Sequence, residues 1–156
     1  MTQVLAAGSP IPLRYHKEVI RYTLDKTALV ALGDNLTANV LLGNLPAKSR
    51  ILRALLQTKT AVAGVTAMTV AIGTNSASYN NMLVAADVKA AANTLYGDAL
   101  TEIGAALQNL SGSYIDFIPS LTVDTAIYAL LTVTTEKLKD ITAGEFDMLV
   151  EYETLP

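Results

Sequence analysis

Val65-Thr66-Ala67-Met68-Thr69-Val70-Ala71-Ile72 is the stretch that decides the fold class. Its side chains alternate with a period of two, which places successive residues on opposite faces of an extended strand. Met68, Val70 and Ile72 then form one apolar face. Ile127-Tyr128-Ala129-Leu130-Leu131-Thr132-Val133 and Phe146-Asp147-Met148-Leu149-Val150-Glu151-Tyr152 repeat the pattern. Short alternating runs separated by Gly, Asn and Thr, within 156 residues, mean a β-sandwich or barrel, of which a mainly all-β, jelly-roll-like antiparallel β-sandwich is expected. A scaffold of this kind with no reactive residues placed between its strands points to a building block before an enzyme.

Composition narrows the class. The chain has the length of one domain, 1–156, and at that size about 70% of the unfolded surface can be buried without a disulfide or metal staple. Hydrophobic residues make up 51% and charged residues 16%, against about 25% charged in an ordinary globular chain. So few charges suggest that part of the surface lies against other chains; the alternative is a compact monomer with an Ala- and Thr-rich exterior. The net charge of −3 argues against a nucleic-acid surface, which needs a basic footprint. Lys48, Arg50 and Arg53 form one small basic cluster, read as a solvated strand edge. There is no Cys, so thiolate chemistry and disulfides are excluded. The first residues lack a signal-peptide pattern, and no run approaches the roughly 18 apolar residues of a membrane helix.

Along the chain, residues 1–13 read as an extended N-terminal arm, with Pro10 and Pro12 restricting its backbone. Residues 13–24 have no clean apolar face and read as an edge strand. Gly33-Asp34-Asn35 marks a turn. A short strand over 38–42 and a turn at Gly43-Asn44-Leu45-Pro46-Ala47 precede a longer strand over 49–60. In that strand Leu52, Ala54 and Leu56 share one face, and Ile51, Arg53, Leu55 and Gln57 the other. Gly64 is expected to join it to strand 65–72 as a hairpin. A polar loop over 73–81 leads into a long insertion, in which the period changes. Leu100, Ile103, Leu107 and Leu110 recur at helical spacing behind Asp98, a candidate N-cap, and 84–93 is Ala-rich, so a short helical insertion is expected around 83–110, with a strand-and-loop excursion as the alternative for 84–93. Strands return at 113–118, 126–134 and 145–153. In the last, Phe146, Met148, Val150 and Tyr152 face inward, and Asp147, Glu151 and Glu153 face solvent.

The search for chemistry returns no candidate catalytic, cofactor-binding or metal-ligating residue. His16 is the lone histidine and reads as a surface or packing residue. One His and no Cys exclude a zinc site of the usual kind. Asp116 and Asp124, Glu151 and Glu153, and Asp140, Glu145 and Asp147 form no acidic run of the sort that calcium needs. Gly43 and Gly73-Thr74 fit no phosphate-binding pattern. Asn35-Leu36-Thr37 and Asn109-Leu110-Ser111 match the glycosylation triplet by chance. The seven tyrosines suit either interfaces or strands.

Five stretches carry a resemblance. They are Gly43-Asn44-Leu45-Pro46-Ala47-Lys48-Ser49-Arg50-Ile51, Thr58-Lys59-Thr60-Ala61, Thr69-Val70-Ala71-Ile72-Gly73-Thr74, Leu83-Val84-Ala85-Ala86-Asp87-Val88, and Thr142 through Tyr152. Their order resembles small β-sandwich structural proteins of tailed bacteriophages. There a Leu-Pro-Ala turn precedes a strand, a Val-x-Ile-Gly-Thr strand end precedes a loop, and a Val-Glu-Tyr strand closes the domain. The Ala-rich stretch around 96–110 departs from a minimal sandwich of this type. The resemblance implies a virion component made in the host cytoplasm, best fitted by a head decoration or cement protein. Its partners would be the major capsid protein and copies of itself, commonly as a homotrimer, with no nucleic acid, membrane or cofactor. A joint of standard size buries about 1,600 Å². Two other readings stay open: a tail, neck or fibre-base subunit of the same fold, and a carbohydrate-binding sandwich with Tyr15, Tyr79 or Tyr114 as stacking platforms.

Overall fold

The computed structural model describes residues 16–74, 78–97 and 121–154. The arm at 1–13, Tyr15, Asp98, the helical spacing from Leu100 to Leu110, the strand expected at 113–118, Tyr114, Asp116 and Asn109 lie outside the described residues. Eight strands are described: β1 (His16–Asp25), β2 (Thr37–Leu45), β3 (Ser49–Ala63), β4 (Ala67–Gly73), β5 (Leu83–Asp87), β6 (Leu95–Tyr96), β7 (Thr125–Thr134) and β8 (Ala143–Thr154). A six-residue helix, α1 (Lys26–Ala31), follows β1, and a 3-10 turn at Leu138–Asp140 precedes β8.

The strands form two four-stranded sheets, ordered β1-β8-β3-β6 and β2-β7-β4-β5. All the pairings are antiparallel. The order is nested: β1 pairs with β8, β2 with β7, β3 with β6 and β4 with β5. This is the topology of a jelly roll, in which a long folded-over hairpin is wrapped into two facing sheets. The expected β-sandwich is therefore present.

The core follows from the alternation. Phe146, Met148, Val150 and Tyr152 of β8 pack in one buried cluster with Ile127, Ala129, Leu131 and Val133 of β7 and Met68, Val70 and Ile72 of β4. The inward faces expected for β4 and β8 are those observed. Among the described strands β1 lies at an edge, in keeping with its mixed faces.

Four expectations need correction. First, β3 and β4 are not a hairpin; they belong to opposite sheets. Gly64 carries the chain across at φ +91°, and a Cβ there would stand 2.6 Å from Thr142 N. Second, residues 83–87 are a strand, not helix. Leu83 and Ala86 face the core beside β4, and that burial overrides a weak alanine preference for helix. Third, β2 continues to Leu45, and Gly43 lies inside it at a register shift, not in a turn. Ile20 of β1 packs there, its Cδ1 3.1 Å from where a Gly43 Cβ would be. Fourth, the faces of β3 switch. A bulge between Ile51 and Arg53 lets Ser49 and Ile51 point inward before it and Ala54, Leu56 and Thr58 after it. Ile51 therefore does not share the face of Arg53 and Leu55.

Helix α1 is an addition to the elements expected from the sequence. Asp25 caps it, its Oδ1 accepting from Ala28 N at 2.8 Å. Leu29 is fully buried against the core.

Candidate interaction surface

The two outer faces of the sandwich differ in kind. On the β1-β8-β3-β6 sheet, the odd-numbered residues of β8 project outward between two flanking strands. The register sets Glu153 between Lys17 and Arg50, and Glu151 between Val19 and Arg53. Arg53 grips Glu151 with Nε and a terminal nitrogen, both at 2.7 Å. Arg50 pairs with Glu153. Lys59 bridges Glu145 at 3.1 Å and Asp147 at 3.0 Å. Asp147 also accepts from Arg21 Nε at 3.1 Å and from Thr23 Oγ1 at 2.7 Å.

These partners overturn the assignment of Asp147 and Glu153 to solvent. Asp147 is 1% exposed and Glu153 is 3% exposed. Long side chains from β1 and β3 close over the central strand and satisfy its carboxylates as they bury them. Burial pushes the Asp147 carboxyl up, but the hydrogen bonds from Thr23, Lys59 and Arg21 outweigh it and hold the pKa below the usual value. Arg53 lowers that of Glu151. The face is thus an ion-pair lattice holding three strands together, and Arg50 and Arg53 belong to it instead of forming a solvated cluster. Lys48 stands apart in the turn before β3, with φ 63°.

The outer face of the β2-β7-β4-β5 sheet carries almost no charge. β2 contributes Thr37, Asn39 and Leu41; β7 contributes Ala126, Tyr128, Leu130 and Thr132; β4 contributes Ala67, Thr69 and Ala71, the last of them already buried. The register places them side by side, with Thr132 flanked by Thr37 and Thr69, and Leu130 by Asn39 and Ala71. Asp87, opposite Thr69 on β5, is the charged residue of this face among the described strands. The large exposed apolar side chains among the described residues are Val19, Leu36, Leu41, Leu95 and Val123. Three of them lie in β2 or beside one of its two ends. Leu41 lies in β2 and Leu36 just before it. Val123 lies beside the far end of β2, where Asp124 Oδ1 accepts from Ala47 N at 2.8 Å.

No family model matches the chain, and no curated protein matches it. Among solved structures it is similar to a chain described as "Cyanophage Pam1 capsid asymmetric unit", at 17% identity and a TM-score of 0.43, over 98% of this chain and 94% of that one.

The remaining singled-out residues fall at scattered points. His16 is exposed at the start of β1, its Nε2 3.5 Å from Glu18 Oε1. Glu18 in turn accepts from the Tyr152 hydroxyl. Tyr79 does not present an open platform: its ring packs on Tyr128 with centroids 4.9 Å apart. Asn35 Nδ2 donates to Leu32 O at 3.2 Å, within the turn after α1. Asp140 accepts from Lys137 N and closes the 3-10 turn. Among the described residues no three His, Cys, Asp or Glu side chains gather as metal ligands, and no helix is long and apolar enough to cross a membrane.

Proposed function

We propose that this chain is a viral structural protein, a head decoration or cement protein of a tailed phage that acts through its surfaces and not through chemistry. The observation that carries the reading is the division of the two outer faces. One is closed on itself by ion pairs that satisfy its own charges. The other carries Asp87 as its one charge among the described strands, is otherwise built of Thr, Asn, Ala, Leu and Tyr, and exposes Leu41 at its β2 side. A face with few charges loses little on desolvation, which suits it to burial against another subunit. The jelly-roll topology is used by viral capsid domains, though fold alone does not assign function. The motif order from Gly43 to Tyr152, similar to tailed-phage structural proteins, supplies the particle; bracing of the major capsid lattice, in trimers, follows from that likeness.

The test is co-sedimentation with expanded empty heads of the phage that encodes the protein. Binding that Leu130→Glu and Thr132→Lys abolish, with the circular dichroism unchanged, supports the reading. Retention on tail or neck particles with no binding to heads overturns it in favour of another virion component. Lectin domains share the topology; glycan-array binding lost on Tyr79→Ala or Tyr128→Ala would favour a carbohydrate module.

A further inference from the structure

Among the described strands, the four at the sheet edges are not equally protected. An open strand edge offers unpaired backbone groups to any passing chain, so stable proteins shorten it, charge it or cover it. β6 has two residues and β5 has five. β1 is ten residues long but carries Lys17, Glu18, Arg21 and Asp25. β2 is nine residues long, Thr37-Ala38-Asn39-Val40-Leu41-Leu42-Gly43-Asn44-Leu45, with no charge and no proline. It borders β7 on one side, and no described strand pairs with its other side. Leu41 within it is 47% exposed, and Leu36 and Val123 beside its two ends are 49% and 64% exposed.

We infer that the outer edge of β2 pairs with β2 of a second copy, antiparallel across a two-fold axis, joining two sheets into one of eight strands. The argument for a second copy is electrostatic and geometric. Pairing across a two-fold sets each residue of a strand against residues of the same strand. Like charges placed opposite one another destabilise such a pair. β2 has none, whereas β1 would set its own lysine, arginine and acids against their copies. Nine residues span about 30 Å, so the joint runs the length of the sheet. The two-fold also brings Leu41 of each copy beside the seam, where its exposed side chain gains cross-strand neighbours. The charge-poor outer faces become continuous across it.

The chain has no cysteine, so an introduced thiol reports on this contact alone. Asn39→Cys and Leu41→Cys are oxidised singly and as an equimolar mixture, without any phage particle present. A two-fold centred on Asn39, Val40 or Leu41 gives a covalent dimer in at least one of these three samples, because a disulfide needs Cα atoms about 5.5 Å apart. Sedimentation equilibrium of the unmodified protein shows a dimer, or a hexamer where the two-fold joins two trimers, which Asn39→Lys and Leu41→Lys convert to half its mass with the circular dichroism retained. A mass that both lysine variants leave unchanged overturns the inference, as does a monomeric mass for the unmodified protein. Self-association is read here without heads, so it fails or succeeds independently of the head-binding assay.

Discussion

The ammonium of Lys59 on β3 stands 3.0 Å from the carboxylate of Asp147 on β8, and that carboxylate is almost wholly buried. Arg21 and Thr23 reach the same carboxylate from β1, so one acid ties three strands of a sheet. Hydrogen bonds to a charged group contribute about 1.5–3 kcal/mol. Asp147→Ala removes the acceptor, while the Arg21 and Lys59 side chains, 61% and 36% exposed, regain water. The expected loss is therefore about 2 kcal/mol, in the lower half of that range. Chemical denaturation should show it as a lower midpoint at unchanged slope, and scanning calorimetry as a Tm lower by about 4–8 °C. A fall under about 0.5 kcal/mol, the scale of ordinary surface changes, would show that the lattice contributes no more than isolated surface pairs.

The same carboxylate sets the acid limb. Its pKa is lower folded than unfolded, so its contribution is complete above the unfolded value of about 3.9 and is lost as pH falls from there through the folded value. Glu151, held down by Arg53, acts in the same direction below about 4.3. Stability should be level from about pH 5 upward as far as these two groups govern it, and should decline below about pH 4. Asp147→Asn should reduce the slope of that decline, measured as urea midpoint against pH. An unchanged slope would assign the acid limb to other groups.

The alkaline limb has a different owner. Tyr152 donates its hydroxyl to Glu18, and that hydrogen bond, with burial and the negative charge of Glu18, raises its pKa to about 12. A raised pKa gives stability that is complete below the unfolded value of about 10 and is lost as pH rises through the folded one. Lys59, its pKa raised by Asp147 and Glu145, adds in the same sense. Tyr152→Phe should be less stable than the parent near neutrality, by the lost hydrogen bond, and should lose less between about pH 10 and about pH 12. Spectrophotometric titration of the tyrosines should show a late-ionising phenol that is absent from the variant. A parent protein in which every phenol ionises near the ordinary value of about 10 would refute the assignment.

What the residues reveal on their own divides along physical lines. The inner faces of β4, β7 and β8 alternate without interruption, and nothing in their surroundings breaks the period. Ile51 escapes the simple alternation because a single bulge reverses the phase of β3, and the bulge depends on pairing with β8. The burial of Asp147 and Glu153 depends on Arg21 and Arg50, 126 and 103 positions away, so local pattern marks those acids as solvent-facing. α1 is shorter than the window over which helical period can be recognised. The nested strand order is a long-range property, and a Gly between two strands has the same local signature in a hairpin turn as in a crossing between sheets. The neutral border is within reach of the sequence: nine consecutive residues from Thr37 to Leu45 without a charge or proline mark an unprotected strand.

The crossing at Gly64 gives the last test. Its φ of +91° lies where a side chain is strained, at a cost of about 1–3 kcal/mol. A Cβ there would also press on backbone, the Asp140 carbonyl and, at 2.6 Å, Thr142 N. Backbone cannot rotate away as a side chain can, and Thr142 N is engaged with Ala63 O at 2.9 Å. Gly64→Ala should therefore destabilise by about 3 kcal/mol, the strain and the crowding together. Gly33→Ala is the control, because Gly33 has φ +85° but a Cβ added to it would meet nothing within 4 Å. It should show the conformational part alone, about 1 kcal/mol. Equal losses at the two sites, by urea denaturation, would show that the close approach of the β3–β4 crossing to residues 140–142 carries no energetic weight.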